Sequence, residues 1–266
     1  STVDFNGVEM RIMADQSGDP LMIKGYNRGV DFHCFVASLL FGKEVTKQNE
    51  NAALRTPAKE MSFGLAYGMG PVTLWEKLNA AGYIISLEEC KTIFWKYMDT
   101  FHVTIGWLKS QQRQASTSFK MTNSNGRIRH WVKPNKDKIR DQITQELDTA
   151  DTLKNYTEMK IEELVNQKTK GILAAIQREG ANFKIQSVSA DITKTSMARC
   201  RKEFKKRQWD ARTYNSVYDE MVYDFHESYA TEAHELQKQI MVQSANEFLK
   251  HIPMEVEGYL GKSWAK

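Results

Sequence analysis

The chain has 266 residues, 41% of them apolar and 26% charged, with a net charge of +4. That is the composition of a soluble globular protein; no apolar run approaches the roughly 20 residues of a membrane helix, and the charge is too mild to identify a polyanionic partner by itself. Cys34, Cys90 and Cys200 are widely spaced and odd in number, which argues against a disulfide framework or a cysteine metal site and fits a reducing cytoplasm. The start Ser1-Thr2-Val3-Asp4 lacks the basic-then-apolar pattern of a signal peptide.

In chain order, residues 1–5 read as a short strand with Asn6-Gly7 as its turn. Helical periodicity follows through Val8, Ile12 and Met13 and ends near Ser17-Gly18-Asp19-Pro20. A helix is expected over Phe32–Phe41, capped by Asp31 and stopped by Gly42. Another is expected over Asn51–Tyr67, with Pro57 in the first turn, where a missing amide is tolerated. Ser86 to about Gln114 reads as one long helix with Leu87, Cys90, Ile93, Phe94 and Tyr97 as its buried stripe, and residues 119–131 as a hairpin around Asn123-Ser124-Asn125-Gly126.

Residues 133–170 carry eight basic and eight acidic side chains. A DNA-grasping arm needs a basic excess, so this balanced stretch reads as a solvated helical insertion or a partner-facing hairpin. Then come a helix over Asn182–Lys206, a hairpin in which Tyr214–Val217 and Met221–Phe225 flank Tyr218-Asp219-Glu220, an amphipathic helix over Thr231–Leu249, and a final strand at Met254–Val256. The order predicts an α+β fold: a small antiparallel sheet with a large helical insertion.

Two features carry chemistry. Asp4 ends one strand, and Asp219-Glu220 sit at a hairpin tip far away in sequence; if the strands pair, three carboxylates converge on one sheet edge. Oxygen ligands of this kind suit two hard cations about 3.5–4 Å apart. Turn-tip acids are usually just solvated, so this signal is weak alone. The second feature is stronger. Arg55, Lys59, Phe63 and Tyr67 recur every four residues, and at ~100° per residue each step drifts only about 40°, so they form one stripe running from cations to aromatics. That layout suits a nucleoside triphosphate, with the cations and the helix N-terminus toward the phosphates. An ordinary helix with core aromatics fits the spacing too.

Arg55-Thr-Pro-Ala-Lys59-Glu-Met-Ser-Phe63-Gly64-Leu-Ala-Tyr67-Gly68 resembles the motif B helix of family A DNA polymerases, R-x3-K-x3-F-G-x2-Y-G. Asp4-Phe-Asn-Gly-Val-Glu9-Met-Arg11 resembles their motif A, and Val217-Tyr218-Asp219-Glu220 their motif C. Gly29-Val-Asp31-Phe-His33, followed by Ala37, Phe41 and Gly42, is similar to the segment upstream of motif B. Arg178, Asn182 and Gln186, with Ala190-Asp191-Ile192 behind them, are similar to the lead into the palm's long helix. The resemblance covers nearly the whole chain, with five blocks in order.

It implies template-directed DNA synthesis on primer-template DNA with deoxynucleotide substrates. Asp4, Asp219 and the Phe5 carbonyl hold two magnesium ions, for which manganese can substitute, and Glu220 supports the site. His33, Arg55 and Lys59 bind the triphosphate, Lys59 also protonating the leaving pyrophosphate. Phe63 packs on the sugar, Tyr67 sits near the templating base, and Glu9 is the steric gate against a 2′-hydroxyl. Arg178, Asn182 and Gln186 touch the minor groove, where acceptors are nearly sequence-independent. Motif C usually has histidine where Tyr218 stands, and motif A usually has Tyr-Ser-Gln at Phe5-Asn6-Gly7, so the primer-end contact assigned to Tyr218 departs from the pattern.

The implied organisation is palm at 1–18, fingers at 19–177 and palm again at 178–266, in a cytoplasmic protein of a bacterial or phage-infected cell. Motif A begins at residue 4, so the thumb, the remaining palm and any 3′–5′ exonuclease are expected on a partner polypeptide, as in a split polymerase. Two other readings stay open: a single-subunit RNA polymerase, disfavoured by Glu9 and Phe63-Gly64, and a non-catalytic DNA-binding or assembly subunit derived from a polymerase.

Overall fold

The computed structural model describes the chain apart from Tyr67, Asp151, Ala265 and Lys266, and apart from the side chains of Leu65 and Ala66. In chain order the elements are β1 (Thr2–Phe5), α1 (Val8–Ser17), α2 (Pro20–Asn27), α3 (Phe32–Phe41), α4 (Arg55–Ala66), α5 (Pro71–Ala80), α6 (Leu87–Thr100) and α7 (His102–Ser118). There follow β2 (Lys120–Thr122), β3 (Ile128–His130), α8 (Lys136–Thr149), α9 (Glu158–Lys206), β4 (Arg212–Val217), β5 (Glu220–Asp224), α10 (Ala230–Asn246) and β6 (Val256–Tyr259). The fold is α+β, largely helical with a small antiparallel sheet, as the sequence predicts. The chain forms two compact units, residues 1–108 with 185–266, and residues 109–184.

The first unit holds a four-stranded sheet of order β4-β5-β1-β6. Alternation along β1 buries Val3 and Phe5 on one face, where Val3 lies beside α10 near His234 and Gly258, and leaves Thr2 and Asp4 on the other. Buried Gln237 of α10 donates from Nε2 to the Met221 carbonyl of β5 at 3.0 Å, tying helix to sheet. The strand expected at Met254–Val256 lies two residues later, because the residues that pair with β1 run from Val256 opposite Phe5 to Tyr259 opposite Thr2. Helix α10 ends at Asn246, short of the expected Leu249, and the Asn246 side chain there accepts the Met254 amide at 2.9 Å.

Local signals place several ends where expected. Asp31 caps α3 by accepting the Cys34 amide at 3.0 Å, Gly42 closes it at φ 65°, and Ser86 and Glu89 form a reciprocal capping box on α6. Helices α2 and α5 were not expected; each has a proline in its first turn, and Asp19 caps α2 through the Leu21 and Met22 amides. The helix expected from Asn51 begins instead as a 3-10 turn, with α4 proper starting at Arg55.

The single helix expected over 86–114 is two. Phe101, fully buried against the Tyr97 ring at 4.8 Å, breaks it at φ −106°, ψ 37°. The other Asp19 oxygen then accepts both the Thr104 amide at 3.1 Å and its hydroxyl at 3.0 Å, so one buried carboxylate serves the starts of α2 and α7.

In the second unit, α8 lies against the first part of α9 over a core of Ile139, Ile143, Ile161 and Val165. Its balanced charges pair across the two helices: Arg140 with Glu158 and Glu162, and Lys168 with Glu146 at 3.2 Å. The hairpin β2–β3 has its own small core of Ala115, Met121 and Ile176, edged by Phe119, Trp131 and Phe183. The helix expected over Asn182–Lys206 is the last part of α9, which runs unbroken for 49 residues from Glu158. No helix among the described residues is long and apolar enough to cross a membrane.

Candidate functional site

The central strand β1 brings the predicted acids together. Asp4 is the cross-strand partner of Glu220 on β5, and the two-residue turn Tyr218-Asp219 joins β4 to β5 immediately before it. Such a tight turn requires a left-handed residue, and Tyr218 adopts φ 55°, at a cost of roughly 1–2 kcal/mol for a residue with a Cβ. Its ring projects into solvent, 92% exposed. Glu220 is 2% exposed, whereas Asp4 and Asp219 are half-buried. On its other side Asp4 faces Glu257 of β6. Three acids thus lie side by side across three strands. Sequence reasoning missed Glu257; its only local signal was the alternating Glu255-Val256-Glu257 pattern.

Gly7, left-handed at φ 63°, turns the chain from β1 into α1. Arg11 on α1 is buried and clamps this corner: it donates to the Asn6 carbonyl at 2.9 Å, to the Pro253 carbonyl, and to Glu255 at 2.8 Å, and lies over the Tyr26 ring. Asn6, Gly7 and Arg11 line one wall of a cleft of about 730 Å³; His33, Arg55, Lys59 and Phe63 line it as well. The turn that follows the acid-bearing strand and the cationic stripe of α4 therefore open on the same space, although 48 residues separate Gly7 from Arg55.

Within the cleft, Arg55 is held as a fork. Its Nε and Nη2 donate to the two Asp31 oxygens at 3.0 and 2.9 Å, and Lys47 stands 3.4 Å from the same carboxylate. Burial raises the Asp31 pKa, but the Arg55 and Cys34 hydrogen bonds outweigh it and hold the carboxyl well below the usual range. His33 packs against Phe63 with ring centroids 5.7 Å apart, and its buried Nδ1 has no hydrogen-bond partner among the described residues. Burial, together with Arg55 and Lys59 and against the opposing pull of Asp31, lowers its pKa to about 4, so the imidazole is neutral at pH 7. Lys59 is exposed.

Of the remaining predicted residues, Glu9 lies on α1 and Arg178, Asn182 and Gln186 on α9. Glu9 is half-buried in the first turn of α1. Arg178, Asn182 and Gln186 recur every fourth residue on α9; Arg178 and Gln186 are exposed, and Asn182 Oδ1 is buried without a hydrogen-bond partner among the described residues. Arg178 and Asn182 belong to the second unit, Gln186 to the first. Tyr67 lies outside the described residues.

The model of DNA polymerase family A matches residues 1–266. The chain belongs to DNA polymerase family A. Among curated family A relatives it is 27% identical to a DNA polymerase I of Aquifex aeolicus, over 99% of this chain and 38% of that protein. It is 28% identical to a DNA polymerase I of Mycobacterium leprae, over 99% of this chain and 24% of that one. The chain thus spans well under half the length of these relatives. A solved structure, the POL domain of Pol1 from M. smegmatis in complex with DNA primer-template and dNTP, superposes with a TM-score of 0.71 at 28% identity, over 96% of this chain and 38% of that one. The likeness fits a family A palm-and-fingers fold.

Family A polymerases use divalent metals, and the donors here suit one. Asp4, Asp219 and the Phe5 carbonyl offer only hard oxygen atoms, the chemistry magnesium selects. Among the described residues no three His, Cys, Asp or Glu side chains close into a ligand cluster.

Proposed function

We propose that this chain is the catalytic part of a template-directed DNA polymerase, adding deoxynucleotides to a primer 3′-hydroxyl. The observation that carries the reading is the placement of Asp4 beside Glu220 and the Asp219 turn on paired strands, with the Asn6-Gly7 turn that follows β1 and the α4 cations lining one cleft. In this reading residues 1–18 and 178–266 act as palm and 19–177 as fingers.

Asp4, Asp219 and the Phe5 carbonyl are the residues that would hold two magnesium ions, or manganese in their place. Bound there, the metal supplies Lewis-acid stabilisation of the attacking and leaving oxygens. The primer oxygen forms a bond to the α-phosphorus as the bond to the pyrophosphate oxygen breaks. Arg55, Lys59 and neutral His33 receive the triphosphate, and Lys59 gives a proton to the departing pyrophosphate. With Nε and Nη2 of Arg55 donating to Asp31, the remaining Nη1 and Nη2 protons at the end of the guanidinium are left for phosphate. Phe63 packs against the sugar, Tyr67 near the templating base, and Glu9 excludes ribonucleotides. Arg178, Asn182, Gln186 and Tyr218 contact the primer-template.

Primer extension with and without copurifying chains tests whether a partner polypeptide takes part. The catalytic assignment is tested by Asp4→Ala and Asp219→Ala. Each is expected to abolish incorporation with primer-template binding nearly intact, and synthesis surviving in both removes the assignment.

A further inference from the structure

Strand β6 pairs with β1, but the chain does not stop at that edge. After Tyr259, the partner of Thr2, residues 260–264 cross back over the sheet, past β1, to reach β5. There the Trp264 indole Nε1 donates to Glu220 Oε1 at 3.1 Å. Trp264 shares a cavity of about 330 Å³ with Thr2 and Val222, cross-strand partners on the face that carries Asp4 and Glu220. A half-exposed tryptophan therefore spends its one polar atom on a carboxylate that is 2% exposed. An indole N–H is a donor only, fixed in the ring plane, so it defines the direction of the carboxylate that accepts it.

We propose that Trp264 is a positioning residue of the polymerase site: it orients Glu220 from the solvent side and keeps segment 260–264 folded across the acidic face. The inference rests on the polymerase reading and adds to it a residue that touches neither substrate nor metal. Burial alone does not orient Glu220, because a carboxylate on a two-carbon stem keeps several rotamers. A charge-assisted hydrogen bond selects among them, and the placement of Glu220 beside Asp4 and Asp219 is expected to act on the rate rather than on substrate affinity.

The test is Trp264→Phe, which keeps a ring and deletes the N–H, beside Trp264→His, which returns a ring N–H. The expected result for Trp264→Phe is a kcat for nucleotide addition lowered about tenfold, the equivalent of one charge-assisted hydrogen bond. The KM for the deoxynucleotide is expected to stay unchanged, with part of kcat recovered in Trp264→His. Independently of activity, the Trp264 indole N–H resonance, assigned by its loss in Trp264→Phe, is expected to shift and exchange faster in Glu220→Gln. A Trp264→Phe variant with wild-type or raised kcat, or an indole resonance indifferent to Glu220→Gln, overturns the proposal. A wild-type chain that extends no primer while the resonance responds to Glu220→Gln counts against the polymerase reading and leaves the contact standing.

Discussion

Asp31 does two jobs with one carboxylate, and removing it separates them. Its Oδ1 accepts the Cys34 amide at 3.0 Å as the cap of α3, and both oxygens accept from Arg55 at 3.0 and 2.9 Å. Loss of an N-cap costs about 1 kcal/mol. The Arg55 pair is partly open, with side chains 31% and 17% exposed, so solvent screening holds its share to about 1 kcal/mol instead of the several expected of a buried pair. Asp31→Ala should therefore destabilise by about 2 kcal/mol, and Asp31→Asn, which keeps a cap acceptor and loses the charge, by about half of that. Urea unfolding measures both, and a coupling of about 1 kcal/mol is expected between Asp31→Ala and Arg55→Ala in a double-mutant cycle. Equal losses in the Asn and Ala variants, or no coupling to Arg55, would refute the two-role account.

Burial holds His33 neutral, so its folded pKa lies below the unfolded value of 6.5, at about 4. The unfolded chain then binds the extra proton in that window, and stability is complete above pH 6.5 and falls by up to about 3 kcal/mol as the pH drops toward 4. Urea titrations at several pH values check this, and a His33→Gln variant should lose most of the slope between pH 6.5 and 4. In the second unit, a Cβ added at Gly180 lands on the Ala115 Cβ. Gly180→Ala should cost about 1–3 kcal/mol by overpacking, and Ala115→Gly in the same chain should recover most of it; unfolding monitored by Trp131 fluorescence reports both.

Short-range chemistry was legible from residue order. The Asp31 and Gly42 ends of α3, the Ser86–Glu89 box and the hairpin around Tyr218-Asp219 are each settled by groups within a few residues of one another. The stripe of Arg55, Lys59 and Phe63, spaced by four, was legible for the same reason, since helix geometry alone puts them on one side. The fold class followed from the order of the elements, and the family from motifs that spacing preserves.

Tertiary structure decided the rest. Nothing near Phe101 announces the break between α6 and α7; the carboxylate that accepts the Thr104 amide at the new helix start belongs to Asp19, 85 residues before Thr104. The register that sets Glu257 beside Asp4, the commitment of Arg55 to Asp31 and the reach of Trp264 to Glu220 are likewise choices between distant segments. Such choices are made by which backbone groups remain to be paired and which faces remain to be buried once the core has formed, and no window along the chain contains that information.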